Sequence, residues 1–122
     1  MSSSEQLIRQ LREKRMSWVD LPDGKAVRII RPPEREIFIN LYKGTSVLVG
    51  FDEACRYTVD WRGFTEADVL GAAVGAADAV PFTPELWTAL AADNTQWAQA
   101  VQQALLDVAM AYLQTTQADA KN

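Results

Sequence analysis

The sequence predicts an α+β fold, mostly helical, in which one β-hairpin packs on four or five helices. Three observations carry that prediction. Two short stretches with alternating apolar residues, 17–21 and 25–31, flank Pro22-Asp23-Gly24, a strong turn signal. In the last third, Trp97, Val101, Leu105, Val108 and Tyr112 recur every three or four residues, the spacing of one face of an amphipathic helix. Just before them, Thr83-Pro84-Glu85 combines a capping side chain, a first-turn proline and a carboxylate suited to a helix N-terminus. At 122 residues the chain is read as one domain, 1–122. A domain of this size buries about two-thirds of its unfolded surface, enough for a core without a metal or disulfide.

The elements follow in order. The first 16 residues read as an N-terminal helix with Ser4 as cap and Leu7, Ile8 and Leu11 as a narrow apolar stripe. In the hairpin, 17–31, Val19 and Leu21 oppose Trp18 and Asp20, and Arg31-Pro32-Pro33 ends the second strand. The helical part, 33–114, opens with Pro33 as first helical residue and with Glu34 and Glu36 near the helix N-terminus. Gly44 would stop that helix. Residues 45–61 admit two patterns. Val47, Val49 and Phe51 alternate as in a strand, whereas Phe51, Cys55 and Val59 share a helical face. The reading taken is strand or loop to about Gly50, then helix from Asp52 to Trp61. The Gly- and Ala-rich run 70–80 reads as loop, because glycine costs about 1 kcal/mol against alanine inside a helix. Helices are predicted over 84–92 and 95–114, followed by a polar, frayed tail, 115–122.

Composition narrows the function classes. The chain has no histidine, which removes the usual neutral-pH general base, the commonest metal ligand and every His-dependent triad. The single cysteine, Cys55, can neither close an internal disulfide nor build a zinc site, and reads as a small hydrophobe. Pairs such as Glu34/Glu36 and Glu66/Asp68 sit where helix N-termini want charge, not across a cleft. Gly71 and Gly75 lack the strand and the Lys-Ser/Thr of a phosphate loop. The expectation is a protein that is not an enzyme, with no cofactor and no metal.

The net charge of −4 is unevenly spread. Residues 1–60 carry ten Lys and Arg against nine Asp and Glu; residues 61–122 carry two against seven. The acidic half opposes a nucleic-acid backbone. Arg9, Arg12, Lys14 and Arg15 form the densest basic cluster. No basic-plus-apolar leader opens the chain and no window reaches spanning length, so a cytosolic protein that binds neither membrane nor nucleic acid is expected. Among the four tryptophans, Trp87 and Trp97 fit helical core stripes. Trp18 and Trp61 are less determined by pattern, and tryptophan is also the residue most enriched at binding hot spots.

The segments D-W-R-G-F-T-E-A-D-V-L-G at 60–71 and V-P-F-T-P-E-L-W at 80–87, with R-P-P-E at 31–34 and Trp97 in the last helix, resemble the tail assembly chaperones of long-tailed phages. The positions carrying the resemblance are Trp61, Gly63, Phe64, Pro81, Phe82 and Trp87. Physics gives them fold roles: a turn at Gly63, an extended entry at Pro81, and a ring at Phe82 placed to staple the next helix. The resemblance implies a small non-enzymatic protein of the host bacterial cytoplasm. It would bind tape-measure protein, tail-tube protein or both, and be absent from the mature virion. Such a role needs exposed apolar surface and a tendency to form homo-oligomers. Leu7, Ile8 and Leu11 on the first helix, and Leu106, Met110 and Leu113 on a second edge of the last, are the candidate partner-binding residues. Two other readings are a tail-completion or head–tail joining subunit retained in the virion, and an acidic inhibitor of a host nuclease. The second half is sparse in carboxylates for the latter.

Overall fold

A computed structural model of the chain describes residues 3–42 and 50–121. The hairpin pairs β1 (Met16–Asp20) with β2 (Ala26–Ile30), and its turn, Pro22–Gly24, is a tight 3-10 turn. Asp23 and Gly24 take positive φ there, 64° and 75°, which an Asp-Gly pair tolerates. A third strand, β3 (Thr58–Arg62), adds antiparallel to β2, giving the order β1-β2-β3. Six helices occur among the described residues: α1 (Ser4–Lys14), α2 (Glu34–Tyr42), α3 (Phe51–Arg56), α4 (Glu66–Leu70), α5 (Pro84–Asp93) and α6 (Thr95–Lys121). The fold is therefore α+β and mostly helical, with a three-stranded sheet packed against helices.

One face of the sheet supplies the core. Val19, Val27 and Trp61 stand side by side across the three strands, and β-branched and aromatic residues suit such a half-buried pleat. Val27 and Ile29 are fully buried, as are Ile37 of α2, Phe64, Trp87 of α5 and Val101 and Leu105 of α6. Thr83 caps α5, accepting from the Leu86 amide at 3.1 Å, with Pro84 in the first turn. The α6 stripe faces inward as its period requires: Ala98, Val101, Leu105 and Ala109 are buried.

Three expectations change. The helix read to Trp61 ends at Arg56, and 58–62 is strand. Thr58 turns its hydroxyl back to the Ala54 carbonyl at 2.7 Å, and pairing with β2 captures the rest. Val59 is the extra residue where the β2–β3 register shifts, which is why it falls out of strict alternation. The α1 cap is Ser3, not Ser4, because Gln6 reciprocates to the Ser3 amide in a capping box. The expected frayed tail continues as α6 as far as Lys121. The loop expected over 70–80 is found from Gly71 onward; the short helix α4, capped by Thr65, precedes it and takes in Leu70. The expected stop at Gly44 and the alternation at 47 and 49 lie outside the described residues.

Candidate protein-binding surface

The motif residues assemble an aromatic nucleus and the joints around it. Trp61 stacks on Phe64 (centroids 4.2 Å apart), Phe82 meets Trp61 edge-on at 5.5 Å, and Trp97 meets Phe64 edge-on at 5.4 Å. The Trp61 indole N–H donates to the Val80 carbonyl at 2.7 Å, tying the entry to α5 onto the sheet. Phe82 thus packs on Trp61 from across the fold. Trp87 is sealed elsewhere, its indole N–H reaching the Ala54 carbonyl of α3. Gly63 has φ of 80°, and its Cα lies against the backbone of the hairpin turn. Pro81 is exposed, in chain that is neither helix nor strand. Trp61, Phe64 and Trp87 are buried, so the resemblance motif builds fold and offers little surface.

An ion pair between buried Lys25 and half-buried Asp68 holds the hairpin turn to α4. The Lys25 ammonium, buried, lies 2.9 Å from Asp68. The Thr65 amide and hydroxyl also donate to that carboxylate, at 2.7 and 2.9 Å. Burial alone would raise the Asp68 pKa; the bonds from Lys25 and Thr65 and the Lys25 charge outweigh it and hold the carboxyl below the ordinary range. Asp68→Ala leaves Lys25 buried without its partner and α4 without its reciprocal cap, an expected loss of about 2–3 kcal/mol in urea unfolding. Lys25→Met removes the charge but leaves the Thr65 bonds, and should cost about 1 kcal/mol or less. Because the folded pKa is depressed, the Asp68 contribution is present above the ordinary carboxylate pKa and lost as pH falls through the folded value. The acid limb of the stability curve should flatten in Asp68→Ala.

The surface is built differently. No residue of α1 is buried: Leu7, Ile8 and Leu11 are 49%, 59% and 64% exposed. A hollow of about 420 Å³ separates the Ile8 side of α1 from Arg28, Val59 and Asp60 on the outer face of the sheet. Another, of about 400 Å³, lies between Leu11, Lys14 and Arg15 on one side and Arg31 and Tyr112 on the other. Arg31 sits 4.0 Å from the centre of the Tyr112 ring. Burial, chiefly, and neighbouring Arg15 draw Arg31 below the ordinary arginine value, against the opposing influence of Tyr112 and Glu34. On the outer sheet face Trp18, Arg28 and Asp60 stand in one row, and Arg62 stacks over Trp18 at 4.5 Å. Among the described residues the Arg28 Nε has neither solvent nor an acceptor.

The α6 edge is narrower than its sequence suggests. Met110 is 43% exposed and Leu106 half-buried, but Leu113 turns inward at 9% exposure and belongs to the core. The reason is period: Leu113 continues the Leu105–Ala109 stripe by one more turn. Sequence reasoning missed a second apolar surface at 66–79. Leu70 and Val74 there are 59% and 77% exposed, on a segment closed by Glu66 N–H to Asp78 O (3.0 Å) and Ala67 N–H to Ala76 O (2.9 Å). Gly75 seats directly on the Glu66–Ala67 backbone, where a Cβ would lie 2.4 Å from the Glu66 carbonyl oxygen. The Thr65–Asp68 capping spacing was the available signal.

No group of three His, Cys, Asp or Glu side chains is placed to hold a metal among the described residues. None of the described helices is long and apolar enough to cross a membrane. Comparison with protein-family models, characterised proteins and solved structures returns no match to this chain.

Proposed function

We propose that this protein is a non-enzymatic tail assembly chaperone of a long-tailed phage, acting in the host bacterial cytoplasm. Its clients would be tape-measure protein, tail-tube protein or both. The observation that supports a binding role is α1, an ordered amphipathic helix whose three large apolar side chains serve no core of their own. Apolar groups held in water on a regular element cost free energy that a partner recovers. Met110 adds a separate apolar point on α6. The choice of client comes from the resemblance over 60–71 and 80–87.

The test is affinity capture of tagged protein from phage-producing cells, with mass spectrometry of the eluate and of purified virions. The expected result is tape-measure or tail-tube protein in the eluate and no trace of this chain in virions. Stoichiometric presence in virions would replace the proposal with a tail-completion or head–tail joining subunit. A host nuclease as sole partner would sink both.

A further inference from the structure

We infer that the hollow between the end of α1 and Tyr112 of α6 is a carboxylate-binding site. It takes an acidic side chain from an amphipathic partner segment that lies along Leu7 and Leu11. The inference rests on the reading of α1 as a client-binding surface and names the chemistry of what binds there, whichever protein the client is. Lys14, Arg15 and Arg31 line the hollow with Leu11 and Tyr112, and among the described residues no carboxylate joins them. The ion pairs among the described residues are Lys25–Asp68 and Arg56–Glu36, so none of the three cations is paired in them. Glu34, close by, accepts the Tyr112 hydroxyl instead.

Two like charges are held side by side there by the backbone. The Arg31 amide donates to the Arg15 carbonyl at 2.8 Å, and the Arg15 guanidinium donates to the Arg31 carbonyl at 3.1 Å. Arg31 donates in turn to the Pro32 carbonyl at 2.8 Å and lies over the Tyr112 ring. Each guanidinium thus commits one nitrogen to a carbonyl and keeps further donors, in the planar fork that a carboxylate matches. Both side chains are half-buried and fixed, so a partner has little left to order. The carbonyl end of α1 opposes an anion, but with about half a charge against three whole cations. The hollow on the Ile8 side differs: three arginines there face three carboxylates, so it favours neither sign. Leu7 and Leu11 stand one turn apart, and Lys14 and Arg15 follow within the next turn. A partner helix with two apolar residues one turn apart and a Glu or Asp on the next turn complements all of them. A phosphate backbone would meet the cations but leave the leucines in water, so the occupant is an acidic, apolar protein segment.

The test is fluorescence anisotropy of a labelled amphipathic Leu/Glu helical peptide on the full chain. Two twin peptides carry Gln or Lys at every Glu position. At low salt the Glu peptide should bind about tenfold or more tightly than the Gln twin, and the Lys twin more weakly than either. High salt should shrink that preference. Lys14→Glu, at an exposed position, should abolish it; Arg15→Gln, which keeps a donor for the Arg31 carbonyl, should reduce it. Arg9→Gln, an exposed cation lining the other hollow, should leave it unchanged. Leu11→Ser should weaken the Glu and Gln peptides alike. Circular dichroism checks that each variant is folded. The inference is overturned if the three peptides bind equally or not at all, or if Arg9→Gln costs as much as Lys14→Glu. It is also overturned if a single-stranded oligonucleotide outbinds the Glu peptide with the same loss in Lys14→Glu, which would assign the cluster to phosphate. Client capture that survives Lys14→Glu would leave the chaperone reading standing and remove this one. Peptide preference without any captured tail protein would do the reverse.

Discussion

Gly63→Ala should destabilise the protein by about 3 kcal/mol or more, enough to remove much of a small domain's stability. Two effects combine. At φ of 80° an L-side chain is strained, and a Cβ there would lie 2.6 Å from the Gly24 carbonyl oxygen and 3.2 Å from Lys25 Cα. Neither neighbour is a flexible side-chain tip; both are backbone of the hairpin turn, fixed by the Leu21–Lys25 bond and the buried Lys25. The clash therefore cannot relax cheaply. Gly24→Ala is the control. Its φ of 75° carries the same strain, but nothing lies within 4 Å of a Cβ, so a loss of about 1 kcal/mol is expected. Urea unfolding followed by tryptophan emission measures both. Equal losses at the two positions would show that conformation alone, not close approach, selects glycine at 63.

Trp87→Ala should cost about 3–5 kcal/mol, the range for emptying an aromatic site in a packed core. Trp87 is fully buried, one of the largest side chains that are, and it ties α5 to α3. Trp87→Phe isolates the hydrogen bond from the volume. The Ala54 carbonyl that accepts the indole N–H at 3.4 Å also accepts the Thr58 hydroxyl at 2.7 Å. Losing the indole thus leaves no orphaned carbonyl, and the Phe variant should lose only about 1–2 kcal/mol, mostly volume. A Phe variant as damaged as the Ala variant would mean that the long bond matters more than its length implies.

The parts of this fold that were legible in sequence are those decided locally. The Pro22-Asp23-Gly24 turn, the Thr83–Pro84 cap and the α6 stripe each draw their structure from residues a few positions apart, so period and capping chemistry suffice. β3 was hidden because its decisive partner is β2, some thirty residues earlier, while Phe51, Cys55 and Val59 keep a helical spacing. Phe51 and Cys55 do lie in a helix, α3, while Val59 falls in the strand that follows it. The same limit governs the surface. The exposure of Leu7, Ile8 and Leu11 was legible because their stripe is too narrow to found a core. Leu113 was misplaced because a helix with two apolar edges does not announce which one the body covers. Nothing local to Lys25 signals its burial, which depends on α4 folding over the turn to bring Asp68 against it.

The absence of any buried residue in α1 has an evolutionary reading. At Gly63 or Trp87 nearly every substitution is punished by the fold, so those positions are tied to the whole molecule. At Leu7, Ile8 and Leu11, about half or more exposed, the fold constrains the side chain far less. Whatever touches α1 alone decides what may stand there. The helix can follow a changing partner one substitution at a time, at small cost to the domain that carries it.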